Sequence, residues 1–193
     1  MESAPVKAQR NISQVNDIPF FRDDENQVRF IVQNIFRSSQ ATTVYLIYWL
    51  VLIASFIFLI KDNLLGLAVR DWIIAVIGGL LSVLLPIHII HELLRAMLIK
   101  RFGKATVSYI WSWPKLRLKT NYFNISSLTI GQLKIANIAP FLFFSIAPFI
   151  LAFIAEGAVS LYCYSIALFH ALYSVKGFSL LSYLQLQKQF VQE

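Results

Sequence analysis

The chain has 193 residues, 58% of them hydrophobic and only 14% charged, with a formal net charge of +7. That balance excludes a disordered segment and is too apolar for an ordinary soluble domain. The basic residues lie between long apolar blocks, so the charge reads as membrane-flanking and argues against nucleic acid as a partner, and the single cysteine, Cys163, excludes an intrachain disulfide.

Residues 1–25 are polar and mixed in charge and read as a tail. From residue 26 to 37 the pattern changes: Val28, Ile31, Val32, Ile35 and Phe36 recur at helical spacing, with Arg29 and Arg37 elsewhere on the cylinder. This predicts an amphipathic helix, lying either on the membrane surface or against the protein's own helices. Residues 1–42 are thus expected to be a cytoplasmic tail and a surface helix. The first apolar block begins near Thr43, too deep for a cleavable leader.

Four membrane-spanning helices are predicted, at about 43–60, 72–99, 133–155 and 158–185, making residues 43–186 a transmembrane domain, with 187–193 as a C-terminal tail. The second block, at roughly 42 Å, outruns a hydrocarbon core of about 30 Å and must tilt or bend, with Pro86 as the natural place. Its Gly78-Gly79 pair allows a neighbour to come close. The polar insert at 104–130 alternates with period two on both sides of Pro114, which predicts a small β-hairpin. Ser174 to Gly177 reads as an interruption of the last helix. The fold class is therefore an all-α membrane protein with four transmembrane helices, a cytoplasmic-side hairpin insert and an N-terminal amphipathic helix. With both termini inside, 14 Lys and Arg fall on the cytoplasmic side and two outside, Arg95 within the second helix being left out.

Chemistry concentrates inside the second span. His88, His91, Glu92 and Arg95 fall at i, i+3, i+4 and i+7, one face of one helix. Ionisable groups at membrane depth are expensive and mark functional sites by default. The run His91-Glu92-Leu93-Leu94-Arg95 is also an H-E-x-x-H pattern with its last histidine replaced; in the intact pattern two histidines hold zinc and the glutamate is the general base for a zinc-bound water. Two readings are open. In one, Glu92 and Arg95 form a structural ion pair, with the histidines hydrogen-bonded around them. In the other, His91 and His88, with His170 from the last helix, are metal ligands and Glu92 is the base; the fixed charge of Arg95 opposes a divalent cation there.

Several cues together resemble the zincin peptidase family of small bacterial membrane proteins, relatives of the site-2 intramembrane metalloproteases. They are a Pro-x-x-x-x-His-Glu helix continued by Ala96-Met-Leu-Ile-Lys-Arg-Phe-Gly103, the polar insert, Ile138-Ala-Pro140, and His170-Ala-Leu-Tyr-Ser174-Val-Lys-Gly177. The resemblance covers about Trp72 to Leu186. It implies a zinc held by His91, by a histidine where Arg95 stands, and by an aspartate where Phe178 stands. Glu92 is then a vestigial general base. Because Arg95 and Phe178 stand at two of the three ligand positions, the expected function departs from that of the family: a catalytically inactive pseudoprotease in the bacterial cytoplasmic membrane, bound to the bilayer and to another membrane protein or peptide, with no cofactor expected. The competing readings are a zinc-dependent intramembrane metallopeptidase with a rearranged site, and a subunit of a larger membrane complex such as a transporter.

Overall fold

The structure, a computed structural model, describes residues 24–61, 66–103, 106–112, 117–123 and 128–190. The expected N-terminal tail up to residue 23, the Pro114 break and the end of the C-terminal tail lie outside them. Among the described residues, helix α1 (Asp24–Ile35) precedes α2 (Gln40–Leu59). Helix α3 (Val69–Ser82) runs through a π-helical turn, Val83–Ile87, into α4 (His88–Phe102). Strands β1 (Thr106–Ser112) and β2 (Arg117–Phe123) pair antiparallel, with Thr106 opposite Phe123 and Ser112 opposite Arg117. Helix α5 (Ile130–Phe141) passes through a second π turn, Leu142–Ile146, into α6 (Ala147–Ile154), and α7 (Gly157–Phe190) closes the chain.

Four helical stretches are long and apolar enough to cross a membrane: Gln40–Leu59, Val69–Phe102, Gly131–Ile154 and Gly157–Leu186. Each extends beyond or shifts from its expected bounds by a few residues, where caps set the ends. Ser39 caps α2 by accepting from the Thr42 N–H, and Thr129 and Gln132 form a reciprocal capping box on α5. Pro86 lies inside the first π turn. A proline lacks the N–H of a regular helix and crowds the carbonyl four residues back, so a widened turn lets the long helix continue.

The bundle follows the logic of a low-dielectric solvent. On α2 the inward residues are Ala41, Tyr45, Tyr48, Leu52, Ser55 and Leu59, while Val44, Ile47, Leu50, Val51, Ile53 and Ile57 are exposed. Hydroxyls face inward because lipid offers them no partner. They bond across helices: the Tyr45 hydroxyl donates to Ala171 O at 3.0 Å, Tyr48 to Ser145 O at 3.1 Å, and Tyr164 to Leu52 O at 2.6 Å. Helix α7 is the shared partner, packing against α1, α2, α3, α5 and α6. At Gly79 the approach of α3 to α7 is closest. A Cβ there would lie 2.6 Å from Ser165 Cβ and 3.2 Å from the Ile166 backbone nitrogen.

Two local features differ from expectation. Helix α7 runs unbroken through Ser174–Gly177: the Ser174 hydroxyl bonds back to His170 O at 2.9 Å, and Gly177 is packed against Asn137, so tertiary contact outweighs the weak helix propensity. On α1 the buried face is Phe30, Asn34 and Ile35, with Val28, Val32 and Phe36 exposed. The Phe30 ring meets Tyr183 of α7 edge-on at 5.2 Å, and that contact turns the helix away from the face its periodicity suggested.

One end of the bundle is basic. Phe30 shares a buried cluster with Ile99, Leu133, Ala136 and Leu184, which draws α1, the end of α4, the start of α5 and the end of α7 together. Exposed Arg29, Arg37, Lys100 and Arg101 sit on these same segments. The other end joins the close of α2 to α3 and α6 to α7, where Gly157 approaches Leu67 and acidic Asp71 and Glu156 accompany Lys61 and Arg70.

Gly79→Val should lower stability in detergent by about 1–3 kcal/mol through overpacking against Ser165. Gly66→Ala, where nothing lies within 4 Å of the added Cβ, should stay close to wild type. Thermal unfolding of the two variants side by side checks this; equal midpoints would mean that α3 and α7 are not in close contact.

Candidate functional site

The predicted stripe is buried as a unit. His88, His91, Glu92 and Arg95 face inward on α4, and Glu92 and Arg95 are each only 8% exposed. The π turn at Val83–Ile87 ends immediately before His88, so the proline that opens it also sets the rotation at which this face meets α7.

Helix α7 answers with His170, Tyr173, Ser174 and Lys176. His91 Nδ1 and His170 Nε2 are 2.9 Å apart and hydrogen-bonded. His170 Nδ1 lies 2.7 Å from Ser145 Oγ, in the second π turn, and 3.4 Å from Ser174 Oγ. The result is a buried chain, Ser145–His170–His91, with two self-consistent proton arrangements. Either Ser145 donates to Nδ1 and His170 passes a proton from Nε2 towards His91, or every bond runs in reverse. In the reversed arrangement His91 is protonated on Nδ1 and its Nε2 carries a lone pair. Ser145 and His170 are both fully buried, so this is an internal network and not a nucleophile–base pair open to a substrate.

Tyr173 is the hub of the second half of the cluster. Its hydroxyl donates to Glu92 Oε1 at 2.9 Å. Its ring meets His88 and His91 edge-on, each at 5.0 Å, and the Lys176 ammonium lies 5.9 Å from its centroid. Glu92, Arg95, His88 and Lys176 are all within electrostatic reach of His91. The candidate residues of α4 and His170 are thus brought together. Sequence reasoning missed Tyr173 and Ser145 as members. Tyr173 carried a usable signal, standing at i+3 from His170, whereas Ser145 lies in an apolar run with nothing to single it out.

Phe178, where the resemblance implies an aspartate ligand, stands elsewhere. Its ring packs between Tyr45 and Phe141, each at 4.9 Å, inside the main apolar core.

The chain belongs to the family described as Putative zincin peptidase, whose model matches residues 83–190, from the π turn before His88 to the end of α7. Neither the curated proteins nor the solved structures contain a match.

Membership implies zinc, and the donors can be tested against it. A catalytic zinc takes three protein ligands and keeps one open position. Arg95 offers no lone pair and carries a permanent positive charge, Phe178 offers hydrocarbon, and both ring nitrogens of His170 are engaged. Among the described residues no three His, Cys, Asp or Glu side chains are grouped to hold a metal ion. The residues present do not fit the zinc of the family.

Ser145→Ala should destabilise the protein by about 1–3 kcal/mol, because it strips a buried ring nitrogen of a partner. In a double-mutant cycle with His170→Leu the two losses should be non-additive by about 1 kcal/mol, measured by unfolding in detergent. Strict additivity would mean that the Ser145–His170 bond contributes nothing.

Proposed function

We propose that this protein is a catalytically inactive member of its family, a membrane-embedded zincin scaffold that binds or regulates another membrane protein or peptide. The observation that carries the reading is the replacement of metal donors: a buried arginine one turn from His91, and a phenylalanine locked into an aromatic core where a third ligand is needed. Glu92 is retained, yet its carboxylate is engaged by the Tyr173 hydroxyl instead of facing a metal-bound water. In this reading Arg95 supplies the positive charge that zinc would otherwise bring, and balances Glu92 as an ion pair within the bundle. The partner lies against the α4–α7 seam, where exposed Leu93 borders the buried cluster. The basic end of the bundle, which carries Lys100 and Arg101, faces the cytoplasm, in keeping with the positive-inside rule.

Elemental analysis of gently purified protein should find well under one equivalent of zinc, and Glu92→Gln should leave any proteolysis in the preparation unchanged. One tightly held zinc that disappears in His91→Ala would sink the proposal and restore the peptidase reading. The ion pair has its own test. Arg95→Ala should be strongly destabilising, by about 3–5 kcal/mol if the pair is fully desolvated, and Glu92→Gln should rescue much of that loss. Absence of rescue would separate the two residues.

Topology is tested with single cysteines in a Cys163→Ser background. Arg101→Cys and Arg70→Cys, at opposite ends of the bundle, should react with an impermeant maleimide from opposite sides of the membrane. Labelling of both from one side would overturn the proposed orientation. A photo-crosslinking residue in place of Leu93 should yield a discrete adduct with a membrane protein or peptide, and adducts with lipid alone would argue against a partner at the seam.

A further inference from the structure

Helix α1 and the turn that follows it present two ridges that the bundle does not use. Val28, Val32 and Phe36, four residues apart, are 64%, 55% and 77% exposed. Beside them runs a second exposed ridge, Arg29, Gln33 and Arg37. The inner face is already committed to the fold: Phe30 packs on Tyr183, and Ser179 Oγ donates to Ile31 O at 3.4 Å. An apolar ridge flanked by arginines is the pattern of a helix that lies in a lipid interface.

We propose that the outer face of α1 docks on an anionic phospholipid surface, with Val32 and Phe36 at the acyl boundary and Arg29 and Arg37 among the headgroups. Position argues for lipid as the occupant. Helix α1 ends at Ile35 and the first span begins at Gln40, so the ridge is held at the level where the chain enters the membrane. Through Phe30 it is packed against the cluster of Ile99, Leu133 and Leu184, at the end of the bundle that carries Lys100 and Arg101. Charge argues for the sign and the tilt. The arginines complement anionic headgroups, whereas the sequence of the first turn, with Asp24 and Glu25, has the opposite sign. The helix therefore inclines, with its Phe36 end deeper and its acidic end outward. An α1 docked in this way anchors the rotation of α7, to which its inner face is bound, and ties the bundle to the charge of the leaflet.

The test uses the full chain in lipid nanodiscs, with Cys163→Ser and a single environment-sensitive fluorophore on Val32→Cys or Val28→Cys. Both positions are exposed, so labelling disturbs no core contact. Discs of phosphatidylcholine alone are compared with discs containing about 30% phosphatidylglycerol, and each arginine near such a surface favours docking by about fivefold. The expected result is a blue-shifted emission in anionic discs, quenched by spin-labelled lipid more at Val32 than at Val28. Arg29→Gln with Arg37→Gln should reverse the shift, and midpoints of thermal unfolding in detergent confirm that the variant is folded. A probe quenched by aqueous iodide equally in both discs overturns the proposal, as does shielding that is indifferent to lipid charge or to the two arginines. Shielding that depends on protein concentration would assign the ridge to a second copy of the chain, and would also overturn it.

Discussion

The structure depends on one constraint: ionisable side chains placed inside an apolar bundle must find their partners within the protein. Water in contact with the side chains of α2 or α4 would relieve it, but helices with these lateral surfaces suit hydrocarbon, where each unsatisfied polar group costs several kcal/mol. The seam between α4 and α7 is the solution. Tyr173 engages Glu92, His170 bridges His91 and Ser145, and Ser174 turns back on its own helix. Outer elements serve that seam. Gly79 lets α3 approach α7 closely, α4 beyond it reaches α7 through the side chains of His91 and Glu92, and the tyrosines of α2 and α7 tie distant helices together through backbone carbonyls.

Against the chemistry implied by the family, the departures form a consistent set. Loss of a histidine alone leaves a weakened metal site. Where the resemblance implies a second histidine ligand stands the fixed positive charge of Arg95, where it implies an aspartate stands Phe178, packed between Tyr45 and Phe141, and His170 uses both ring nitrogens for hydrogen bonds. Each of these side chains gives a divalent cation less reason to bind. What remains is a helix interrupted by a π turn that ends in a polar stripe, joined by side-chain contacts to a second helix.

The two π turns show how local irregularity positions this site. The first precedes His88 directly, and the second carries Ser145. In both, a helix that contains a proline keeps its length by widening one turn, which also shifts the angular position of the residues beyond that turn. A regular helix of the same sequence would turn the stripe on α4 to a different bearing.

By itself the sequence determined the number and the approximate bounds of the spans, since the length of an apolar run is a direct measure of what crosses hydrocarbon. It also determined that His88, His91, Glu92 and Arg95 share a face, because the helical period places them there. What faces them was decided by tertiary structure. His91 and His170 are 79 positions apart, and Ser145 and His170 are 25, distances over which periodicity carries no information. Phe178 read as a missing ligand and became a core residue only when Tyr45 and Phe141 closed around it. Ser174 to Gly177 looked like a break and was held helical by Asn137 and the turn before it. On α1 both sides of the helix are apolar enough to be buried, so its pattern left the choice of face open. The edge-on contact of Phe30 with Tyr183 made that choice, because a single aromatic contact across helices outweighs the small difference between two faces of one helix.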